Sequence, residues 1–407
     1  MDARTLTEQV LKRCELLSHC TDVPGQVHRL FLSSATRAAH RYLTDWMKEA
    51  GLEVRVDPIG NVRGIKRSKN PQARTFLVAS HIDTVPNAGK YDGTLGVLMG
   101  IALAGLFRAE DLQHHLEIVA FSEEEGVRFQ QPFLGSSVLA GTFQSDWLKK
   151  KDFENQSLSE TLFKWDLDQN RIPIEAFEPR ELLGYLEIHI EQGPVLADQN
   201  LPVGVVSGIV GQSRLNLTFL GQAGHAGTTP MPLRKDALTG AAEFICWTEE
   251  YALSNPGLVA TVGKVEVRPN TSNVIPEQVT VSLDVRHLSD EKRVTAVQEL
   301  LHQAHMICQK RNLGLQHEFP LDQQAVICED RFMEALLDAC KFCGLPEFTL
   351  PSGAGHDAMV LAKVTDIAML FVRSPNAISH HPSETVEPED VEAALKASGH
   401  FLSQILR

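Results

Sequence analysis

The 407-residue chain has no apolar run near the roughly 20 residues that a membrane-crossing helix needs. Met1 to Ser18 carries charges throughout and lacks the apolar core of a secretory leader, so a cytoplasmic location is the expectation. Basic charge is also short: 38 Lys and Arg stand against 52 Asp and Glu, a formal net charge of -14. That balance excludes nucleic acid, whose phosphates demand a basic surface. Cysteine is sparse, with 7 residues at irregular spacing, which suits a reducing compartment better than a disulfide framework. Cys340 and Cys343 form one CxxC with no second pair nearby, and their setting, DACKFCG, reads as the packed end of a helix. No internal repeat or low-complexity tract is evident.

What is present is ordinary globular material, 43% hydrophobic and 22% charged, in a chain longer than one core usually supports. Residues 35 to 50 place apolar side chains at helical spacing, and Gly51 stops the run. Thr75 to Ser80, Leu116 to Phe121, Gly184 to Ile190 and Ile367 to Val372 are continuous apolar runs of strand length, as in parallel strands covered on both faces. Thr94 to Phe107 reads as an apolar helix after the first of them. The expected fold is α/β, with a mixed, mostly parallel sheet covered by helices. Near residue 213 the texture changes. Leu215 to Phe219 and Val279 to Val285 alternate apolar and polar residues, with helical stretches at Leu233 to Leu253 and Asp290 to Asn312. Residues 213–327 therefore read as an inserted α+β domain, and 1–212 with 328–407 as the main one. Pro388 to Leu406 is expected to close the chain as a helix, and Lys150 to Arg180 reads as a surface excursion without chemistry.

Metal-ligand residue types recur where the apolar strands run out. His81 and Asp83 (SHIDTV) are two apart, so the carboxylate can accept the other ring N–H of an imidazole that binds metal. Asp92 (GKYDGTLG) lies among flexible residues at the mouth of a helix, where it can bridge two cations or cap the helix. Glu123, Glu124 and Glu125 end a buried strand, where adjacent carboxylates repel unless a cation or proton separates them. One can then bind metal while its neighbour acts as general base, and a solvated charge run is the alternative. His189 and Glu191 (EIHIEQG) are expected to face the same way, which sets another imidazole against a carboxylate. His380 and Glu384 (SHHPSE) flank a stiffening proline. Taken together, His81, Asp92, Glu125, His189 and His380 suit a centre in which ions about 3.5 Å apart share one carboxylate and one water. In open α/β sheets, ligands gather at the carboxyl ends of the strands.

The runs SHIDTVPNAGKYDGTLG, FSEEEGVRFQ, EIHIEQGPVL, GQAGHAGTTPM, SNVIP, LDVRH, SGAGHDAM and ISHHPSE resemble the M20 metallopeptidase superfamily. They are most similar to its amidohydrolase branch of allantoate amidohydrolases, N-carbamoyl-L-amino-acid hydrolases and β-ureidopropionases. AGKYDG, EEGVRFQ with FLGS, and SGAGHDAM look most like the allantoate enzymes. The resemblance implies two divalent ions per subunit (Zn, Mn or Co). His81, Asp92 and His189 would hold one, Asp92, Glu125 and His380 the other, with Asp92 bridging. It implies Glu124 as base, Asp83 as support of His81, and Glu123 as a spectator. Wider relatives place a carboxylate where His189 stands, so its imidazole favours ureido substrates over peptides. The insertion is implied to be the dimerisation lid of a homodimer, with His225 reaching the partner subunit's site as an oxyanion stabiliser. Read alone, His225 is a loop histidine between glycines. Asn273 and Arg286 are implied to hold a substrate carboxylate, although Asp284 offers Arg286 a plain salt bridge. Gln212 and Gly355 match substrate contacts, and His356 and Asp357 are read as supporting the same loop. Asn376 and Ala377 stand where relatives often have two glycines.

The first expectation is hydrolysis of allantoate, and the second is the same chemistry on N-carbamoyl-L-amino acids. A catalytically silent metal- or ligand-binding homologue is a third reading, and loss of a ligand or of the base would be its sign. All five ligands and Glu124 are present.

Overall fold

A computed structural model describes residues 2–407. The chain divides into two compact units, Met1–Ser207 with Cys328–Arg407, and Gly208–Ile327. The first crossing therefore falls between Ser207 and Gly208, earlier than the change of texture after Gln212. The reason is that the strand Val203–Ile209 carries the chain out of the first unit before the alternating strand Gly211–Leu220 begins. Gln212 consequently belongs to the inserted unit.

The first unit is built on a mixed sheet ordered Glu53–Val56, Val62–Lys66, His115–Phe121, Thr75–His81, Leu182–Ile190, Ile367–Val372, Val203–Ile209. The four strands in the middle of that order run parallel. Those at either side pair antiparallel with them. The parallel strands are buried along their whole length, which explains their unbroken apolar sequence. Four carboxyl ends thus lie side by side. Helices Ala3–Ser18, Ser34–Glu49, Thr94–Ala104, Asp330–Phe342 and Pro388–Leu406 contribute to the core around the sheet. Thr94–Ala104 is buried at every residue. It approaches so closely that a Cβ on Gly96 would lie 1.9 Å from the Ile188 carbonyl oxygen.

The stretch from Lys150 to Arg180 is more than a surface excursion. It contains the helix Leu158–Lys164, opened by a capping box of Ser157 and Glu160. Leu158, Leu162 and Ile172 are buried against Phe31, Ile59, Phe129 and Leu134 in a separate apolar cluster. The polar residues between these leucines hid the pattern. Cys340 lies in the helix Asp330–Phe342, and Cys343 is its C-cap. All seven cysteines are free thiols.

The inserted unit has a sheet ordered Val265–Arg268, Gln278–His287, Gly211–Leu220, Gly314–Gln323, with Val259–Thr261 also paired to Gln278–His287. Leu215, Leu217, Phe219, Val279, Val281, Leu283 and Val285 face the helices Ala237–Leu253 and Asp290–Arg311 and form its core. The intervening residues are half-buried or exposed, as one-sided strands require. No helix among the described residues is long and apolar enough to cross a membrane.

Candidate metal centre

His81 is the last residue of the strand Thr75–His81 and His189 the penultimate residue of Leu182–Ile190. Both imidazoles are buried. In each, Nδ1 faces a backbone carbonyl, Asp83 O at 3.1 Å and Ile190 O at 2.9 Å. An Nδ1–H donated there leaves both Nε2 atoms bare, and they lie 3.5 Å apart. They converge on one oxygen of Asp92, with Oδ1 at 3.8 Å from His81 Nε2 and 3.3 Å from His189 Nε2. The other oxygen of Asp92 faces elsewhere. Oδ2 lies 3.2 Å from His380 Nε2, which is 3.5 Å from Glu125 Oε1.

Three ligand-atom groups fall within 4.8 Å: His81, Asp92 and His189; Asp92, Glu125 and His380; and His81, Glu124 and Glu125. The first two share Asp92, through different oxygens. Asp92 Oδ2 is buried and makes no well-formed hydrogen bond, an arrangement that is costly unless a cation completes it. The donor set of imidazoles and carboxylates suits Zn²⁺, Mn²⁺ or Co²⁺.

Local sequence explains how Asp92 is held. The helix Thr94–Ala104 is capped by Gly93 without any side-chain cap, so Asp92 is not an N-cap. Gly93 has φ +62°, and a Cβ there would lie 2.4 Å from the His81 ring, so only glycine fits. Glu384 accepts the backbone N–H groups of Tyr91 at 2.9 Å and Asp92 at 3.1 Å. A Cβ on Gly89 would strike it at 2.3 Å. Gln192 was not singled out by sequence, yet its Nε2 donates to Asp92 Oδ1 at 3.0 Å and to Ser379 Oγ at 3.1 Å. Only its place in EIHIEQG, directly after the ligand strand, could have suggested it.

The three glutamates are not a solvated run. Glu123 and Glu124 are buried, and the Glu125 side chain is 11% exposed. Asp83 accepts the backbone N–H of Glu124 on Oδ1 and of Glu125 on Oδ2, each at 3.0 Å. Its carboxylate is 3.7 Å from His81 Nδ1, so the carbonyl of Asp83, rather than its side chain, is the nearer partner of that ring. Glu123 accepts the N–H groups of Arg128 and Phe129 at 2.8 and 3.1 Å, which makes it a fastener of the loop. Glu191 also departs from expectation. Its carboxylate accepts the N–H groups of Val195 and Leu196 rather than supporting His189.

Electrostatics follow from this crowding. Burial, then the Glu125, Asp357, Asp83 and Glu187 carboxylates, holds the Glu124 carboxyl well above the usual range. Burial raises Glu125 to about 7, opposed by His81 and reinforced by Asp92 and Asp83. Burial lowers His189 to about 4. It would lower His81 too, but Asp83, Asp92 and Glu125 outweigh it and leave that ring at about 9. Asp92 is raised by burial yet ends below the usual range because His380, His189 and His81 surround it. Such a concentration of perturbed groups marks a functional site.

The remaining expected residues divide between the units. In the first, Gly355 follows the strand Thr349–Ser352, and a Cβ there would meet the Phe133 ring at 3.1 Å. His356 is buried, hydrogen-bonded to Ser352 Oγ at 2.9 Å, with its ring centroid 4.6 Å from that of His189. Ala377 and His380 both have positive φ, +52° and +57°. A glycine would be easy at 377; alanine holds the same turn. In the inserted unit, Val274 pairs with His225, and the Ala226 N–H donates to Asn273 O at 3.0 Å, so His225 and Asn273 lie on one short ribbon. His225 Nδ1 accepts the Gly227 N–H at 3.0 Å, which places the ring proton on Nε2, in an exposed residue. Gln212 and Arg286 are register partners on adjacent strands. Arg286 forks onto Asp284 at 2.8 and 3.0 Å, and Gln212 donates to the same carboxylate. The salt bridge is thus the arrangement present here.

Imidazole and carboxylate ligand atoms gathered at the carboxyl ends of parallel strands define a metal-dependent hydrolase of the α/β class. The pattern of peptidase family M20/M25/M40 matches residues 77–404, and the chain belongs to that family. It is 38% identical to allantoate deiminase 2 of Glycine max, over 98% of this chain and 90% of that protein. It is 40% identical to the N-carbamoyl-L-amino acid amidohydrolase of Geobacillus stearothermophilus, over 94% of each. Among solved structures, an amidase of the hydantoinase/carbamoylase family from Burkholderia multivorans superposes with a TM-score of 0.92 at 32% identity, covering 98% of this chain and 97% of that one.

Proposed function

We propose that this chain hydrolyses a ureido C–N bond, with allantoate as substrate, at a centre for two divalent ions that Asp92 would help hold on both sides. The observation that carries this reading is the split of the Asp92 carboxylate, Oδ1 toward His81 and His189 and Oδ2 toward His380 and Glu125. His81 and His189 would hold one ion, Glu125 and His380 the other. When bound, such a pair supplies a polarised carbonyl and hydroxide near neutral pH.

The protein's own groups do the rest. Glu124, buried among carboxylates, takes the proton of the attacking water and returns it to the leaving nitrogen. Asp83 is a positioning residue, setting the peptides of Glu124 and Glu125 through two hydrogen bonds. Cleavage of allantoate in this way gives ureidoglycine and carbamate, which falls to ammonia and carbon dioxide. The inserted unit acts as the dimerisation lid of a homodimer. Its exposed His225 Nε2–H is a donor suited to developing oxyanion charge, and the Arg286 fork and Asn273 suit a substrate carboxylate. Gln212 and Gly355 complete the substrate contacts. Because Arg286 is engaged with Asp284, substrate must compete for that fork.

A second reading, the same chemistry on N-carbamoyl-L-amino acids, is favoured by the 40% identity to an enzyme of that name. Metal-stripped protein reloaded with Zn²⁺, Mn²⁺ or Co²⁺ separates the two when ammonia release is followed from the ureido substrates and free amino acid from a dipeptide. Higher kcat/KM on allantoate than on carbamoyl amino acids, and none on a dipeptide, is the expected result. The opposite ranking assigns the second reading, and peptide cleavage alone overturns both.

A further inference from the structure

The strands that end in the metal centre begin at another group of charged side chains. Thr75 and His115 are register partners at the start of the strands leading to His81 and Phe121, about 20 Å away at the usual rise per residue. Beside them is a cleft of about 590 Å³, within the size range of small-molecule sites. Arg55, Arg63, Arg67, Arg74 and Arg180 line it, against only two carboxylates, Glu117 and Glu181. In a chain of net charge -14, that is a local reversal of sign.

The sheet register builds this reversal. Arg55 and Arg63 are directly opposite one another on antiparallel strands, where like charges repel. One carboxylate, Glu175, holds both, at 2.6 and 3.0 Å. Arg67 pairs with Glu53 at 3.2 Å and Arg180 with Glu178 at 2.8 Å. Glu175, Glu53 and Glu178 are not among the residues lining the cleft, whose wall therefore presents five guanidinium groups and two carboxylates. The two carboxylates that do line it are engaged: Glu117 with Arg63 at 2.6 Å, and Glu181 with the Glu178 N–H at 2.8 Å. Arg74 lines the cleft and enters no ion pair among the described residues. Each guanidinium carries more N–H donors than the one or two engaged here, and the planar fork fits phosphate oxygens bidentately. Phe177 adds an aromatic wall, with the Arg63 guanidinium 5.0 Å from its ring centre.

We propose that this arginine-lined cleft, remote from the metal centre, is a binding site for a small phosphorylated anion. The phosphoryl group is the recognised chemistry, whether it comes from a nucleoside diphosphate or an inorganic phosphate chain.

Calorimetric titration of the metal-loaded enzyme with ADP and, separately, inorganic pyrophosphate tests it. Saturable one-site binding is expected, weakening as salt rises. The double substitution Arg74→Ala with Arg180→Ala is expected to weaken it at least about tenfold while kcat and KM without anion stay unchanged. ADP binding the more tightly assigns a nucleotide; pyrophosphate binding equally or better assigns the inorganic chain. Absence of saturable binding by either probe overturns the proposal. So does binding that the double substitution leaves intact, because it then lies elsewhere.

Discussion

At the scale of single residues, the function reduces to which atom each carboxylate faces. Glu124→Gln keeps the shape of the site but removes the proton acceptor. It is expected to retain its metal content, measured by atomic emission, while kcat falls about a thousandfold; wild-type rates would end the assignment. Asp83→Ala leaves the Glu124 and Glu125 N–H groups without their acceptor. A kcat loss of about 10- to 100-fold is expected, with KM little changed, because the loop rather than the substrate site is disturbed. The gathering of His81, Asp92, Glu125, His189 and His380 could be anticipated in sequence because each stands where a buried strand or its following loop runs out. The partners of Asp83, Glu191 and Gln192 were not legible. Two-residue periodicity says which face a side chain leaves from, and it cannot say whether a nearby backbone N–H will claim it.

Elements show what the site demands of its scaffold. Gly93→Ala would force a Cβ to within 2.4 Å of His81 at a positive φ. It is expected to lower stability by about 1–2 kcal/mol from the backbone alone and to reduce metal content, both measurable on the same preparation. The helix Ser34–Glu49 carries a different signature. His40 lies nine-tenths buried against Trp165, with ring centroids 5.4 Å apart, and burial, helped by Arg37 and Arg29, lowers its pKa to about 4. The unfolded chain therefore binds a proton that the folded chain refuses between the ordinary histidine value of 6.5 and about 4. Stability from this group is complete above that window and is lost as pH falls through it, by at most about 1.4 kcal/mol per pH unit. His40→Phe is expected to flatten the dependence of Tm on pH between about 6.5 and 4.5; an unchanged slope would assign the effect elsewhere. The long apolar strands and the terminal helix were readable because their patterns are continuous. Leu158–Lys164 was not, because its buried leucines are spaced by polar residues in a short helix whose burial is set by Phe31 and Phe129, far away in sequence.

For the whole molecule, two units with separate cores imply two responses to damage. Leu283→Ala in the core of the inserted unit is expected to cost about 2–5 kcal/mol there. Thermal unfolding should then show an earlier transition, while metal content is kept. The change of sequence texture announced the insertion, since one-sided strands alternate and two-sided strands do not. The boundary itself was displaced, because the strand Val203–Ile209 runs across it. The account as a whole rests on Asp92 serving two cations at once. Metal content per chain, measured after equilibration with excess Zn²⁺ or Mn²⁺ and gel filtration, tests this directly in the wild type and in Asp92→Ala. About two ions per chain in the wild type and loss of both in the variant is the predicted result. A variant that still holds both, or a wild type that never takes up more than one, would contradict the bridging carboxylate and the mechanism built on it.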